Sequence, residues 1–401
     1  MALGKQYAGM WSLRQQLQAR AASTWTGIPA VPSLWAWGRA HVGQMGTNST
    51  HGGSPSGTVS SPVQVDSGVI WSQMSLDSQV TGGIKSDGTL WLWGGNTYGE
   101  LGLGNTTDLN ARSSPTQVGS DTNWAMISFG YRNMHAIKTN GTLWAWGQDG
   151  AGALGLGTAN INKSSPVQVG ALTTWSKVMA LVSFALAIKT DGTLWSFGYN
   201  GKGQLGQNHR DSKSSPIQIG AATDWSDLAG HNYCPIAQKT NGAIYIWGFG
   251  DDGRLGLDDV ISRSSPVQLG SATDWVLSES PNAASSTSLL LKTNGTLWGF
   301  GYNSYGMIGH NFTGKVSSPV QVGALTTWSS VAVTKGSGHA VKTDGTLWSS
   351  GAGATYPHLG NNLNGASNYR SSPIQIGSGT QWTEVYGGFE HTVALQEIPG
   401  T

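Results

Sequence analysis

Four aspartates crowd one short stretch, and four histidines recur at one phase of a longer pattern; these residue types could do chemistry. Asp251, Asp252, Asp258 and Asp259 offer the oxygen ligands that a calcium loop requires. The spacer Gly253-Arg254-Leu255-Gly256 interrupts them and belongs to a recurring frame, so surface carboxylates are the expectation. His135, His231, His339 and His391 would make a zinc centre only if three or four side chains converged. Each precedes or enters a short apolar segment, which predicts buried structural histidines. A Gly-x-Ser-x-Gly elbow, a phosphate loop and His-Glu-x-x-His are all missing. A glycosidase pair of carboxylates could assemble from distant segments, but acids are scarce. The reading is a non-enzymatic protein with no cofactor.

The 19 tryptophans invite a carbohydrate-stacking role. Their regular recurrence assigns them first to packing; only Trp11 and Trp25 fall outside it. The Asn-x-Ser/Thr sequons at Asn140 and Asn294 alternate with Asp in equivalent copies, so turn geometry accounts for them. Further sequons begin at Asn48, Asn105, Asn162 and Asn311. A net charge of +1 gives no strong nucleic-acid signal. The single Cys234 cannot form an internal disulfide. No apolar run is long enough for a membrane-spanning helix, so no membrane insertion is expected. The N-terminus lacks the apolar stretch of a signal peptide; residues 1–33 carry Lys5, Arg14 and Arg20 and no acid, as organelle transit peptides do.

The positioning elements come from a repeat of roughly 50 residues, the signature of solenoids and propellers. Four landmarks each occur seven times. An aromatic strand ends in Gly, as in Leu34-Trp35-Ala36-Trp37-Gly38. A Ser-Ser-Pro-x-Gln strand places its proline at 62, 115, 166, 216, 266, 319 and 373. A tryptophan follows at 71, 124, 175, 225, 275, 328 and 382. A short apolar strand such as Ala187-Ile188-Lys189 completes the unit. Six Asx-Gly turns, beginning at Asp87, Asn140, Asp191, Asn241, Asn294 and Asp344, join the fourth landmark to the next first one. Such dipeptides favour two-residue hairpins with positive φ at both central positions.

Four short strands per unit, seven times over, predict an all-β, seven-bladed β-propeller with four-stranded blades over 34–396. A β-solenoid is the alternative. The seventh turn is missing because the chain ends meet there: Thr392, Val393 and Leu395 are predicted to pair antiparallel with Leu34, Trp35 and Trp37. That closure removes exposed sheet edges.

The string from Ala187 to Gly206, Ala-Ile-Lys-Thr-Asp-Gly-Thr-Leu-Trp-Ser-Phe-Gly-Tyr-Asn-Gly-Lys-Gly-Gln-Leu-Gly, followed by Ser214-Ser-Pro-Ile-Gln-Ile-Gly220, resembles the regulator of chromosome condensation repeat family. The resemblance implies a seven-bladed propeller. Its founding member is a nucleotide-exchange factor for a small nuclear GTPase and binds chromatin; its exchange residues and basic tail find no match here. The near-uniform repeats, with Val-Gly-Ala-Leu-Thr-Thr-Trp at 169–175 and 322–328, look like propellers of bacterial and bacteriophage proteins. The opening Gly4–Arg20, continuing to Trp25, is similar to the start of marine bacteriophage virion proteins.

Within residues 1–33, Met10, Leu13, Leu17 and Ala21 fall at helical spacing, predicting a helix over about 8–22 that stops before Gly27 and Pro29. It either packs on the propeller or, with Met10, Trp11, Leu13, Leu17 and Trp25, forms a docking arm leaving from the face of the Asx-Gly turns. Residues 397–401 are a short tail. Loops before Ser-Ser-Pro are enlarged in three adjacent blades (47–59, 103–112 and 361–370), which makes His51, Asp108, Asn110, Asn364 and Tyr369 candidate binding residues in the sector of the arm. Neutral drift near the termini is the competing explanation. The insertion Pro281–Ser286 reads as a surface protrusion.

The leading expectation is a bacteriophage virion structural protein, a tail, baseplate or fibre-type appendage assembled in the host cytoplasm. Its arm would hold other virion proteins, and its propeller would meet a host-surface glycan or protein. A capsid decoration protein, a guanine-nucleotide exchange factor or intracellular interaction scaffold, and a bacterial carbohydrate-binding surface protein are the alternatives.

Overall fold

The proline of each Ser-Ser-Pro strand has no N–H to give to a sheet ladder, which confines it to an edge. In the computed structural model those strands are the outermost of every blade, half-buried along their length, as in Lys163–Gln168, Lys213–Gln218 and Arg263–Gln268. The structure describes residues 31–49, 57–106, 111–277, 286–352, 358–363 and 369–398. They form seven antiparallel sheets of four strands. Blades 2 to 7 occupy 71–117, 124–168, 175–218, 225–268, 275–321 and 328–375. Blade 1 takes 382–398 from one end and 31–67 from the other. The strands that open with tryptophan are innermost; those of blades 7, 1, 2, 3, 4 and 5 touch one another in succession.

At the closure, Leu34 pairs with Leu395, Ala36 with Val393 and Trp37 with Thr392. Leu34, Trp37, Thr392 and Val393 are fully buried. The pairing continues beyond the expected span, with Ser33 opposite Gln396 and Val31 opposite Ile398. With no turn to end them, the two strands run on.

The Asx-Gly turns differ from the expected two-residue form. Gly192 donates to the Lys189 carbonyl at 2.9 Å, and Lys189 donates to the Thr193 carbonyl at 3.1 Å. Gly192 has φ +76, whereas Asp191 is not among the positive-φ residues. This is a type I turn closed by a left-handed glycine. The cause lies in the side chains. Asp191 Oδ1 accepts from the Thr193 N–H at 3.0 Å and its hydroxyl at 2.7 Å, and Thr193 Oγ1 accepts from Trp195 Nε1 at 2.8 Å. A Cβ on Gly192 would meet the Thr223 carbonyl oxygen at 2.1 Å, so glycine is required twice over.

The second tryptophan of the aromatic strand ties blades together. Trp93 Nε1 donates to the Gln44 carbonyl at 3.1 Å, Trp146 to Glu100 at 2.7 Å and Trp247 to Gln204 at 2.9 Å, each in the preceding blade.

Antiparallel pairing also fixes the faces. Asx-Gly turns and connections between blades share one face with both chain ends; hairpins between inner and second strands share the other with the loops before Ser-Ser-Pro. The described ends of the enlarged loops therefore lie in the sector of the chain ends but on the opposite face. One strand length, that of Val31–Arg39, separates the chain end from the first of them.

Candidate interaction face

Four neighbouring hairpin tips on that opposite face are joined end to end. Lys335 N–H of blade 7 donates to the Phe389 carbonyl of blade 1 at 3.0 Å, and Phe389 N–H donates to the Asp77 carbonyl of blade 2 at 3.1 Å. Asp77 Oδ1 accepts from Gln79 and Val80 N–H at 2.6 and 2.7 Å, holding its own hairpin, and Oδ2 accepts from Arg132 N–H of blade 3 at 3.2 Å. Small residues permit the approach. A Cβ on Gly387 would meet the Val333 carbonyl oxygen at 2.2 Å, and one on Gly388 the Asp77 carbonyl oxygen at 2.6 Å.

Above this backbone seam sit cations and aromatic rings. Lys335 Nζ is 4.7 Å from the Phe389 ring, and the Phe389 and Tyr131 centroids are 6.5 Å apart. The Arg132 guanidinium lies 4.8 Å from Tyr98 and 5.1 Å from Tyr131. Lys335 is exposed, and Phe389, Tyr131, Arg132 and Tyr98 are half-buried. Arg39 pairs with Glu390 at its edge. Asp77 beneath is buried; desolvation lifts its carboxyl to about 7, against three N–H donors that favour the anion. The surface thus presents two cations and three rings, the composition of protein-contact hot spots.

The other residues singled out above fall elsewhere. Met10, Trp11, Leu13, Leu17 and Trp25 lie outside the described residues, as do His51, Asp108, Asn110, Asn364 and residues 281–285. Tyr369 opens the outer strand of blade 7, exposed at 42%, and stacks on Tyr305 with centroids 5.8 Å apart. Trp35 is half-buried and meets Trp382 edge-on at 5.9 Å. The aspartates of 251–259 are bound into the surface: Asp252 pairs with Arg254 and Lys315, Asp259 with Arg263, and Asp258 Oδ1 accepts from the Ser318 hydroxyl. His135, His231, His339 and His391 are buried in separate blades. Among the described residues, no group of three or more His, Cys, Asp or Glu is placed to hold a metal. No helix there is long and apolar enough to cross a membrane.

Asn48 and Asn311, two of the sequon residues, have φ of 58 and 71, at a phase where blades 2 and 3 carry Gly104 and Gly157. Left-handed backbone explains those asparagines.

Lys335, Phe389, Tyr131, Arg132 and Tyr98 escaped sequence reasoning, which compared loop lengths. The available signal was residue type: hairpin tips read Gly-Tyr-Arg at 130–132 and Gly-Gly-Phe at 387–389, while the Asx-Gly turns barely change.

Comparison with known proteins agrees with this architecture. Residues 87–137, 140–188, 191–234 and 241–278 match the family described as regulator of chromosome condensation (RCC1) repeat. The ultraviolet-B receptor UVR8 of Arabidopsis thaliana is 28% identical over 173 residues, 43% of this chain and 38% of that protein. Human RCC2 is 32% identical over 130 residues, 31% of this chain and 24% of RCC2. These matched stretches span well under two thirds of either relative. The crystal structure of Prp20p from Saccharomyces cerevisiae superposes with a TM-score of 0.78 at 20% identity, covering 93% of both chains. Human WBSCR16 superposes with a TM-score of 0.76 at 18% identity, covering 92% of this chain and 99% of that one. These likenesses establish the fold.

Proposed function

From a chain that carries RCC1 repeats closed into a seven-bladed ring, we propose a non-enzymatic scaffold that binds another protein through the ridge of hairpin tips on one face. The carrying observation is the joined row Lys335, Phe389, Asp77 and Arg132, which fixes cations and rings from four blades in one surface. A rigid, aromatic and cationic patch favours a partner that offers acidic and apolar side chains together. Relatives support the class of activity. Prp20p is described with binding properties to Gsp1p and histones, and yeast RCC1 (Prp20) is described bound to Kap60. A receptor and RCC2 among the relatives favour the interaction scaffold, with nucleotide exchange as one form of it, over the virion appendage.

The test is affinity purification of the full chain from its own cells with quantitative mass spectrometry, beside a Lys335→Glu/Arg132→Glu variant. The reading expects specific proteins that the variant loses while its melting curve is unchanged. Identical recoveries from the two would refute it.

A further inference from the structure

At the phase where blades 2, 3 and 5 carry Leu103, Leu156 and Leu257, blade 6 carries His310. Those leucines pack, partly buried, against the hydrophobic clusters of their blades. His310 instead turns edge-on to Phe312, centroids 4.1 Å apart. Beside it a groove of about 360 Å³ opens between blades 6 and 7. Its walls include Trp328, Trp348, Leu325, His310, Asn311 and Ser372, and no lining side chain is a carboxylate, Lys or Arg. Burial lowers the His310 pKa, which keeps the ring neutral.

The groove combines apolar walls with unpartnered polar atoms. Trp328 is 3% exposed, and its indole N–H has no acceptor. The same indole position is unpartnered in Trp124, Trp175, Trp225, Trp275 and Trp382, so His310 is what distinguishes this junction. Both His310 ring nitrogens lack partners. Asn311 Oδ1 accepts from the Ser372 hydroxyl at 3.0 Å, which leaves the Asn311 amide N–H groups to donate outward. Leu325 is exposed at 46%, apolar surface at a concave site, and Phe312, against His310, is exposed at 50% outside the lining.

We propose that this groove is a binding site for a neutral saccharide, one or two pyranose rings in size. Aromatic and apolar walls match the C–H face of a pyranose, and the Asn311 amide and Ser372 hydroxyl match its hydroxyls; the Trp328 and His310 nitrogens, buried and unpartnered, would be reached only by a ligand that seats deeply. The groups that line the groove are uncharged, which suits a neutral sugar; Lys342 lies over the Trp348 and Trp328 rings, at 3.8 and 5.2 Å, and is not part of the lining. The volume fits the lower range of small-molecule pockets. The site lies on the rim, away from the hairpin-tip ridge, and is independent of the protein-binding reading.

Two variants borrowed from sibling blades keep the fold intact. His310→Leu installs the residue of blades 2, 3 and 5. Asn311→Gly installs that of blades 2 and 3 and suits the left-handed backbone. Saturation-transfer NMR on the full chain would use a panel of neutral sugars (glucose, galactose, mannose, N-acetylglucosamine and their disaccharides), with p-cresol as a stand-in for a tyrosine side chain. The proposal expects saturable transfer from at least one sugar, weakened at least ~10-fold in each variant, the scale of one lost hydrogen-bonding group. Transfer from p-cresol alone, from no sugar, or undiminished in both variants would overturn it.

Discussion

His391 Nε2 lies 2.7 Å from Thr81 Oγ1, joining the closing strand to the next blade across 310 residues of sequence. Thr81 donates its one hydroxyl proton to the Gln44 carbonyl at 2.8 Å, so His391 must donate from Nε2 and is the neutral Nε2–H tautomer. Its Nδ1 is buried without a partner, and a second proton there would leave an unpaired charge. Burial lowers the His391 pKa to about 3. His135 and His339 are lowered to about 3, and His358 to about 4, for the same reason.

Acid should therefore unfold this propeller well above the usual carboxylate range. Each buried histidine stays neutral in the folded chain while its unfolded counterpart takes a proton below about 6.5. Their contribution is complete above that pH and is lost as pH falls toward 3 to 4. Asp77, raised to about 7, opposes the trend, since its contribution is present at low pH and lost as pH rises through 7. Four groups outweigh one. The melting midpoint should fall by at least ~5 °C between pH 7 and pH 5. Thermal melts at constant ionic strength give the curve; a midpoint flat down to pH 4 would contradict these burials.

Blade 5 departs from the turn chemistry at two coupled places. It carries Ala243 where other copies have threonine, and Tyr245 where they have tryptophan. The missing hydroxyl would leave an indole N–H without its acceptor; the Tyr245 hydroxyl instead reaches Gln268 Oε1 at 3.2 Å. The seam shows the same logic, with Ser33 Oγ accepting from Trp35 Nε1 at 2.9 Å. Thr193→Ala should thus cost about 1–2 kcal/mol by removing two hydrogen bonds, and Thr193→Ser less than half of that. Urea denaturation of both variants measures it, and equal losses would place the effect in the threonine methyl group.

Ring closure by pairing of Leu34 with Leu395 makes a different claim about connectivity. Opening the chain between Asp191 and Gly192, and joining the two seam strands by an Asp-Gly-Thr turn, should give a folded permutant, because an Asx-Gly turn closes each of the other six blades. Removing 391–401 instead exposes strand edges on both sides of the gap and should give aggregates. Size-exclusion chromatography separates the two results.

The periodic features were legible because every blade needs them: the edge proline, the Asx-Gly glycine and the paired aromatics are set by backbone geometry within about ten residues. Even there, Asp191 and Gly192 showed a limit, since Asx-Gly serves two turn types; blade 5 forms the same turn with Ala243 in place of threonine, held by the Asn241 side chain accepting from the Ala243 N–H. The ridge was illegible because Lys335, Phe389, Asp77 and Arg132 meet only through ring closure. His310 stood in plain view as a departure from leucine, but only the groove gives it meaning.

A last departure marks the seam itself. In blade 4, Lys189 Nζ lies 3.5 Å from the Trp195 ring and 5.1 Å from the Trp175 ring, and Lys85, Lys138, Lys239, Lys292 and Lys342 stand likewise over pairs of rings. The seam blade keeps the rings, Trp35 and Trp382, but places Gln396 between them, paired with Trp382 as Lys189 is with Trp175. An amide lacks the charge that the ring quadrupole attracts. Gln396→Lys should add about 0.5–1 kcal/mol to stability, the value of a partly exposed cation–π contact. The gain should persist in salt more than a surface ion pair would, since nearby rings rather than a mobile carboxylate hold the ammonium group. Denaturation midpoints of Gln396→Lys and Gln396→Met separate charge from chain length: a gain shared by both would assign it to packing of the longer side chain.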